Sequence, residues 1–269
     1  MTSTEGRDDP RFYRGRLREP RSQRVSDPLY QVRLVSNRAK NYWLRTGLEH
    51  ASGCLRVLDL GCGRGGDLFK YHHAGIAHYH GLDLDGEALH EAQSRYRQLR
   101  ARYRRTFSAR WTQGRMEDAV FLLRNEPHRF DLLSCQLALH YVSESLRHVL
   151  LSWDQLLAPG GALVVSLLRF PHDLDELCGP HFRLQRQGED RLLCRLGPAG
   201  SREWQEPLIS VHELRRALEG LGYRPLQSRS FLSLAEQEGL LPGVASHQLS
   251  AADRSLLRLY EGHVFLKSG

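Results

Sequence analysis

The residues best equipped for chemistry sit in one short run, Val57-Leu58-Asp59-Leu60-Gly61-Cys62-Gly63-Arg64-Gly65-Gly66-Asp67. An apolar strand passes directly into a glycine-crowded turn and then a helix. Glycines let backbone N–H groups approach a ligand closely, and the helix beginning near Gly66 presents its positive end at the same point. That is a cradle for a nucleoside cofactor. Taken alone such a turn is weak evidence, because glycine-rich corners also close strand–helix junctions with no ligand, and the nicotinamide-type fingerprint differs only in glycine spacing. Two acids sharpen the reading. Asp59 stands inside the strand end before the glycines, and Asp83 closes the next apolar run, Tyr79-His80-Gly81-Leu82-Asp83. A doubly wound sheet sets that second acid beside the cofactor ribose, where it can accept from both hydroxyls. Asp59, Gly61, Gly63 and Asp83 are therefore the first cofactor-side candidates.

Further candidates surround them. Arg64 in the turn and Lys70 in the following helix put two cations at the carboxyl ends of the strands, where ligands bind in open α/β sheets. Asn41 and Arg45 lie four residues apart and share one helix face, so both can point at one ligand. By themselves they are equally a surface amide and a surface cation. After the third strand, Met116 suits the face of an adenine ring and Glu117 its exocyclic amine.

The elements that must position these residues can be read from periodicity. Tyr30 to His50 carries a helical apolar stripe of Val35, Ala39, Trp43, Leu44 and Leu48, expected to lie over the cofactor mouth. A helix is expected from about Gly86 to Arg104, strands at 108–113 and 130–136, and a helix from about Glu144 to Leu157. The turn Ala158-Pro159-Gly160-Gly161 then leads into a fifth strand at 162–167. Phe182 to Arg186 and Arg191 to Arg195 alternate around a polar turn and predict a β-hairpin, part of an insertion at about 170–207 that would overhang the crevice as a lid. A helix at 211–221 and strands at 223–231 and 262–267 complete the expected sheet, while 232–259 reads as loop and short helix. The expected fold is α/β, a mostly parallel seven-stranded Rossmann-like sheet with helices on both faces. Residues 1–28 read as a disordered basic arm before one domain at 29–269.

Composition sets broader limits. A chain of 269 residues can bury a substantial core as one domain. It carries a formal charge of +7, nearly all of its base being arginine, since Lys40, Lys70 and Lys267 are the only lysines. Arginine forks pair with phosphates, so a polyanionic substrate fits, although codon bias accounts more simply for the bulk of them. Cys54, Cys62, Cys135, Cys178 and Cys194 show no paired short spacing, which argues against a zinc site and for a reducing compartment, nucleus or cytoplasm. No apolar stretch suggests a membrane span.

The glycine opening, together with the strand, helix, Leu-x-Pro-Gly-Gly and strand that end at Leu167, resembles the class I S-adenosylmethionine-dependent methyltransferases. The likeness narrows to the messenger RNA cap (guanine-N7) methyltransferases. That family combines Asp-Leu-Gly-Cys-Gly-Lys-Gly-Gly-Asp-Leu with Ser-Cys-Gln and a His-Tyr pair. Here Asp59 to Leu68 matches with Arg64 for the lysine, and Ser134-Cys135-Gln136 and His140-Tyr141 follow. Asn41-Tyr42-Trp43-Leu44-Arg45 is similar to its Asn-Asn-Trp-x-Lys segment. Glu206 and Tyr260 fall where the family places a cap-reading glutamate and a tyrosine. The resemblance spans roughly 34–267 and is strongest at 56–161. Two departures stand out: Ser166-Leu167-Leu168-Arg169 replaces a Thr-x-Pro-Asn element, and Arg115 stands where an acid is expected.

The resemblance implies roles. Arg45, Gly61, Asp83, Gln136 and Tyr141 would contact S-adenosylmethionine, and Met116 its adenine. His140, Tyr141, Glu206 and Tyr260, with Asn41 nearby, would hold the cap guanosine of RNA, and Arg64 and Lys70 its triphosphate bridge. One carboxylate can accept from guanine N1–H and the 2-amino group together, an edge adenine lacks. Guanine N7 is an exposed lone pair, so the expected catalysis is placement and desolvation, with no acid–base residue and no metal. Other capping enzymes or a regulatory subunit are conceivable partners, no membrane is expected, and the compact, divergent chain is compatible with a viral origin. Two other readings remain open: a methyltransferase for another nucleobase or small metabolite, and a catalytically silent methyltransferase fold serving as an RNA-binding scaffold.

Overall fold

The structure, a computed structural model, describes residues 27–51, 55–197, 200–241 and 249–269. All but the last two residues of the expected N-terminal arm lie outside these, as does Cys54.

Alternating strands and helices build the first half. Helix α1 (Tyr30–His50) precedes β1 (Arg56–Leu60), α2 (Leu68–His73), β2 (His78–Asp83), α3 (Gly86–Arg102) and β3 (Ser108–Gln113). A 3₁₀ turn at Met116–Asp118 and the one-turn α4 (Ala119–Leu122) lead to β4 (Phe130–Gln136), a 3₁₀ segment at Leu139–Ser145, α5 (Leu146–Leu156) and β5 (Leu157–Leu168). The second half supplies β6 (Glu176–Gly179), β7 (Phe182–Arg186), β8 (Arg191–Leu196), β9 (Trp204–Pro207), α6 (Val211–Glu219) and β10 (Tyr223–Ser230). It closes with α7 (Phe231–Gln237), α8 (Ala251–Leu259) and β11 (Tyr260–Lys267).

The main sheet has seven strands in the order β10-β11-β5-β4-β1-β2-β3. Strands β5, β4, β1, β2 and β3 run parallel, and β11 and β10 join by antiparallel pairing. The strand order reverses between β1 and β4, and a crevice opens there at the carboxyl ends of the strands. Strand alternation sends Val57 to one buried layer and Leu58 and Leu60 to the other, so each face of the sheet has its own core. On the first face α1 buries Val35, Ala39, Trp43, Leu44 and Leu48, the stripe expected from sequence. It lies against β5, β11 and β4 rather than over the crevice. Its close seating requires glycine: a Cβ at Gly47 would stand 2.5 Å from Val164 and 2.8 Å from Leu132.

The expected hairpin is present as β7 and β8, and it is half of a larger object. Four antiparallel strands, β6-β7-β8-β9, form a second sheet, whose Phe182, Leu184, Leu192 and Cys194 join the core on the α1 face. The edge strands β6 and β9 carry four residues each, too short for alternation to announce them. Helices α7 and α8 lie in the stretch read as loop and short helix, α8 being started by a reciprocal Ser250–Asp253 capping box.

Candidate functional site

At the crevice lies a cavity of about 240 Å³. It is lined by the glycine turn (Gly61, Gly63, Arg64), the end of β2 and start of α3 (Asp83 to Asp85, Ala88), the turn after β3 (Gly114 to Glu117), and the residues after β4 (Gln136 to Ala138, Tyr141, Val142). Eight sequence-predicted site residues meet here: Gly61, Gly63, Arg64, Asp83, Met116, Glu117, Gln136 and Tyr141.

Gly61 has φ +69°, and a Cβ there would stand 2.7 Å from the Ala138 methyl, so the turn admits only glycine. Asp83 is braced at both oxygens, accepting from the Gly63 N–H at 2.6 Å and the Asp85 N–H at 2.9 Å. Burial raises its pKa, and those two N–H groups oppose the rise. Each oxygen keeps a further lone pair. Arg64 lines the cavity and pairs with Glu91 at 2.9 Å.

The turn after β4 is held from β5. Ser166 Oγ donates to Gln136 Oε1 at 2.9 Å and accepts the Leu137 N–H at 3.1 Å. Leu137, which lines the cavity, adopts φ 56°, a left-handed conformation costing a non-glycine residue on the order of 1 kcal/mol. Gln136 Nε2 is left as a buried donor with no protein partner. Ser166 begins the segment that departs from the family pattern, and its hydroxyl sets the amide of Gln136. On the opposite wall Arg115 and Glu117 pair at 3.1 Å, both lining the cavity, so a carboxylate reaches this wall two residues after the expected position. Met116 is buried between them, its carbonyl accepting from Trp153 Nε1 at 3.1 Å.

Beyond Tyr141 the site continues into the second sheet. The Tyr141 and His140 ring centroids are 4.0 Å apart, and His140 Nε2 lies 3.8 Å from Glu206 Oε1. Glu206 comes from β9, which packs against the 3₁₀ segment bearing His140. Trp204, two residues earlier and on the same strand face, donates its indole N–H to Glu206 Oε1 at 2.7 Å. Cys194, register partner of Trp204, places its Sγ 3.9 Å from Glu206 Oε2. Burial lowers the pKa of His140 and Glu206 opposes the shift; the net result favours neutral imidazole. Trp204 and Ser166 were not anticipated from sequence. The Trp-x-Glu alternation was the one available signal for the first.

Five predicted residues are brought neither to the cavity nor to the His140–Glu206 wall beside it. Asp59 alternates with Leu58 and Leu60, so its carboxylate turns beneath α1 and accepts from Tyr79 Oη at 3.0 Å. Burial, then the neighbouring Asp67 charge, raises its pKa to about 7, against the Tyr79 hydrogen bond. Lys70, three residues after Asp67 on the same helical turn, is drawn under the glycine turn to pair with it, so it does not present its charge to a ligand in the crevice. Lys40 completes that pair at 3.0 Å from the other oxygen. Burial works to raise the Asp67 pKa, but Lys40 and Lys70 outweigh it and pull it to about 2. The cation that α1 delivers to the glycine turn is thus Lys40, whereas Arg45 is mostly exposed and 3.8 Å from Glu49 on the next turn. Asn41 is half-buried outside the cavity lining. Tyr260 opens β11 opposite Leu168, its ring 5.8 Å from Phe231, also outside the lining.

Solved structures place the architecture. A S-adenosylmethionine-dependent methyltransferase from Clostridium acetobutylicum aligns over 88% of this chain and 92% of its own, with TM-score 0.56 and 15% identity. The amino pentose methyltransferase CalS10 from Micromonospora echinaspora aligns over 95% and 94%, with TM-score 0.52 and 20% identity. The fold is that of the class I methyltransferases. The sequence profile of the mRNA (guanine-N(7))-methyltransferase domain matches residues 10–169. The chain belongs to that family. The mRNA cap guanine-N(7) methyltransferase of Schizosaccharomyces pombe is 30% identical over 173 residues, 62% of this chain and 46% of its own length. The chain spans less than half the length of the curated relatives it matches first.

Proposed function

We propose that the protein transfers a methyl group from S-adenosylmethionine to N7 of the guanosine cap of RNA. The observation that carries the reading is the continuity of two half-sites: a cavity lined by Gly61, Asp83 and Gln136, joined through Tyr141 and His140 to a carboxylate, Glu206, set by an indole N–H.

The cavity residues fit the cofactor. Asp83 keeps free lone pairs for ribose hydroxyls, the Gln136 Nε2 donor lacks a protein partner, and no atom lies within 4 Å of where a Gly63 Cβ would stand. When bound, the cofactor supplies a methyl group already activated by the sulfonium charge. Glu206 has lone pairs left after Trp204 to accept from guanine N1–H and the 2-amino group, and the Tyr141 ring offers a stacking face. Guanine N7 needs no deprotonation, so the protein contributes placement and exclusion of water, an effect that can reach roughly 7–11 kcal/mol. Neutral His140 acts here as a positioning residue. Arg64, at the rim, is the cation placed to meet the phosphate bridge. Cys62, Cys135 and Cys178 form no disulfide, in keeping with a reducing compartment, nucleus or cytoplasm.

The test is methyl transfer from radiolabelled S-adenosylmethionine to guanosine-capped RNA, with adenosine-capped and uncapped RNA as controls. Label at N7 on the guanosine cap alone is the expected result. Transfer that ignores the cap, or cofactor binding without transfer to any of the three, overturns it.

A further inference from the structure

The charge on α3 is divided end to end. Its first turns carry Glu87 and Glu91, while its last turns and the residues just after carry Arg97, Arg100, Arg102, Arg104 and Arg105. All five arginines are exposed, and among the described residues none of them pairs with a carboxylate; Glu91 is engaged by Arg64 and Arg95 instead. A helix dipole draws cations only to the last turn. Arg97 precedes that turn, and Arg104 and Arg105 lie beyond the helix.

Aromatic faces lie among these charges. Phe69 of α2 is 43% exposed, and its ring centroid stands 5.8 Å from that of Tyr103. Tyr103 is 4.3 Å from the His72 ring, and the Arg102 guanidinium lies 5.5 Å over Tyr103 and 6.0 Å over Phe69. Unpaired cations beside the exposed Phe69 ring and the half-buried Tyr103 ring match a chain in which phosphates alternate with unstacked bases. A duplex has no free base faces to offer the rings.

We propose that the surface formed by Phe69, Tyr103 and the arginines at the end of α3 binds the single-stranded RNA that follows the cap. The proposal rests on the capped-RNA reading above. The two sites are set apart by α3 itself: Asp85 and Ala88 at its start line the cavity, and its 17 residues span about 25 Å. A cap dinucleotide occupies only the first site, and a longer RNA reaches both.

The test compares wild type with Arg97→Gln/Arg100→Gln/Arg104→Gln/Arg105→Gln, with Arg104→Gln/Arg105→Gln, which leaves the helix untouched, and with Phe69→Ala. Two quantities are read: affinity for a labelled uncapped single-stranded RNA across a salt series, and methyl transfer to a guanosine-cap dinucleotide. The slope of log affinity against log salt is expected to fall by about 0.7 for each phosphate that a variant no longer neutralises. Phe69→Ala is expected to weaken RNA binding about tenfold. Dinucleotide methylation should be unchanged in all three. Unaltered RNA affinity and salt slope in both arginine variants, or dinucleotide turnover falling as far as RNA binding, overturns the proposal. RNA binding is measured without methyl transfer, so a wild-type chain that binds this RNA but cannot methylate the dinucleotide overturns the functional reading and not this one.

Discussion

The two walls of the site are built in opposite ways. The glycine turn and Asp83 occupy consecutive strand–turn–helix units, each residue placed by backbone geometry a few positions away. The Glu206 wall is assembled across the chain: His140 follows β4, Glu206 and Trp204 sit on β9, and Cys194 on β8. A locally built wall tolerates little change in backbone. A wall built by packing can lose one side chain and keep its frame.

Gly61→Val tests the first half of that contrast and carries the largest expected effect. It combines a strained positive φ with a collision at Ala138, each costing about 1–3 kcal/mol, so cofactor affinity measured by calorimetry should fall on the order of a thousandfold. Glu206→Gln should lose about a hundredfold in methyl transfer to capped RNA, the worth of about two charge-assisted hydrogen bonds, while calorimetric cofactor affinity stays unchanged. Equal loss of both would show that the two walls are not separable. Trp204→Phe keeps the ring and removes the indole N–H; about a tenfold rise in KM for capped RNA is expected with kcat held, and a wild-type KM in this variant would exclude Trp204 as the orienting group.

Asp59 lies outside both walls, and its effect is seen in stability rather than turnover. Its folded pKa of about 7 exceeds the ordinary 3.8, so the folded state holds a proton that the unfolded chain has released above about pH 4. The contribution is complete below pH 4 and is lost as pH rises toward 7. Asp59→Asn should flatten that decline by at most about 1.4 kcal/mol per pH unit in denaturant titrations. Asp67 has the opposite sign, its stabilisation present above pH 4 and lost as pH falls toward 2. An unchanged slope in Asp59→Asn would mean that Asp59 is ionised in the folded protein.

Much of this was legible in the residues because it depends on short spacing. Apolar periodicity placed α1, β3 and β4 at their ends, since a stripe or run of this length has one structural solution. The glycine turn and Asp83 were legible for the same reason, Met116 from its place after the third strand, and Gln136 and Tyr141 through the family resemblance. Side-chain direction was not. Asp59 and Lys70 belong to the same motif as Gly61, yet strand alternation and the pull of a buried carboxylate turn both away from the cavity. Arg45 and Lys40 are on one helix, and only the seating of α1 on the sheet decides which of them meets Asp67.

By itself the sequence determined the mostly parallel sheet and the backbone of the glycine turn, because these follow from local propensity and the rules of strand connection. Tertiary structure alone decided that β6 to β9 form a second sheet and that its last strand sets Glu206 against His140. It also decided that Ser166 orients Gln136. Those contacts join residues 30 to 66 positions apart, and no periodicity encodes which side chain a distant strand will face once two sheets pack.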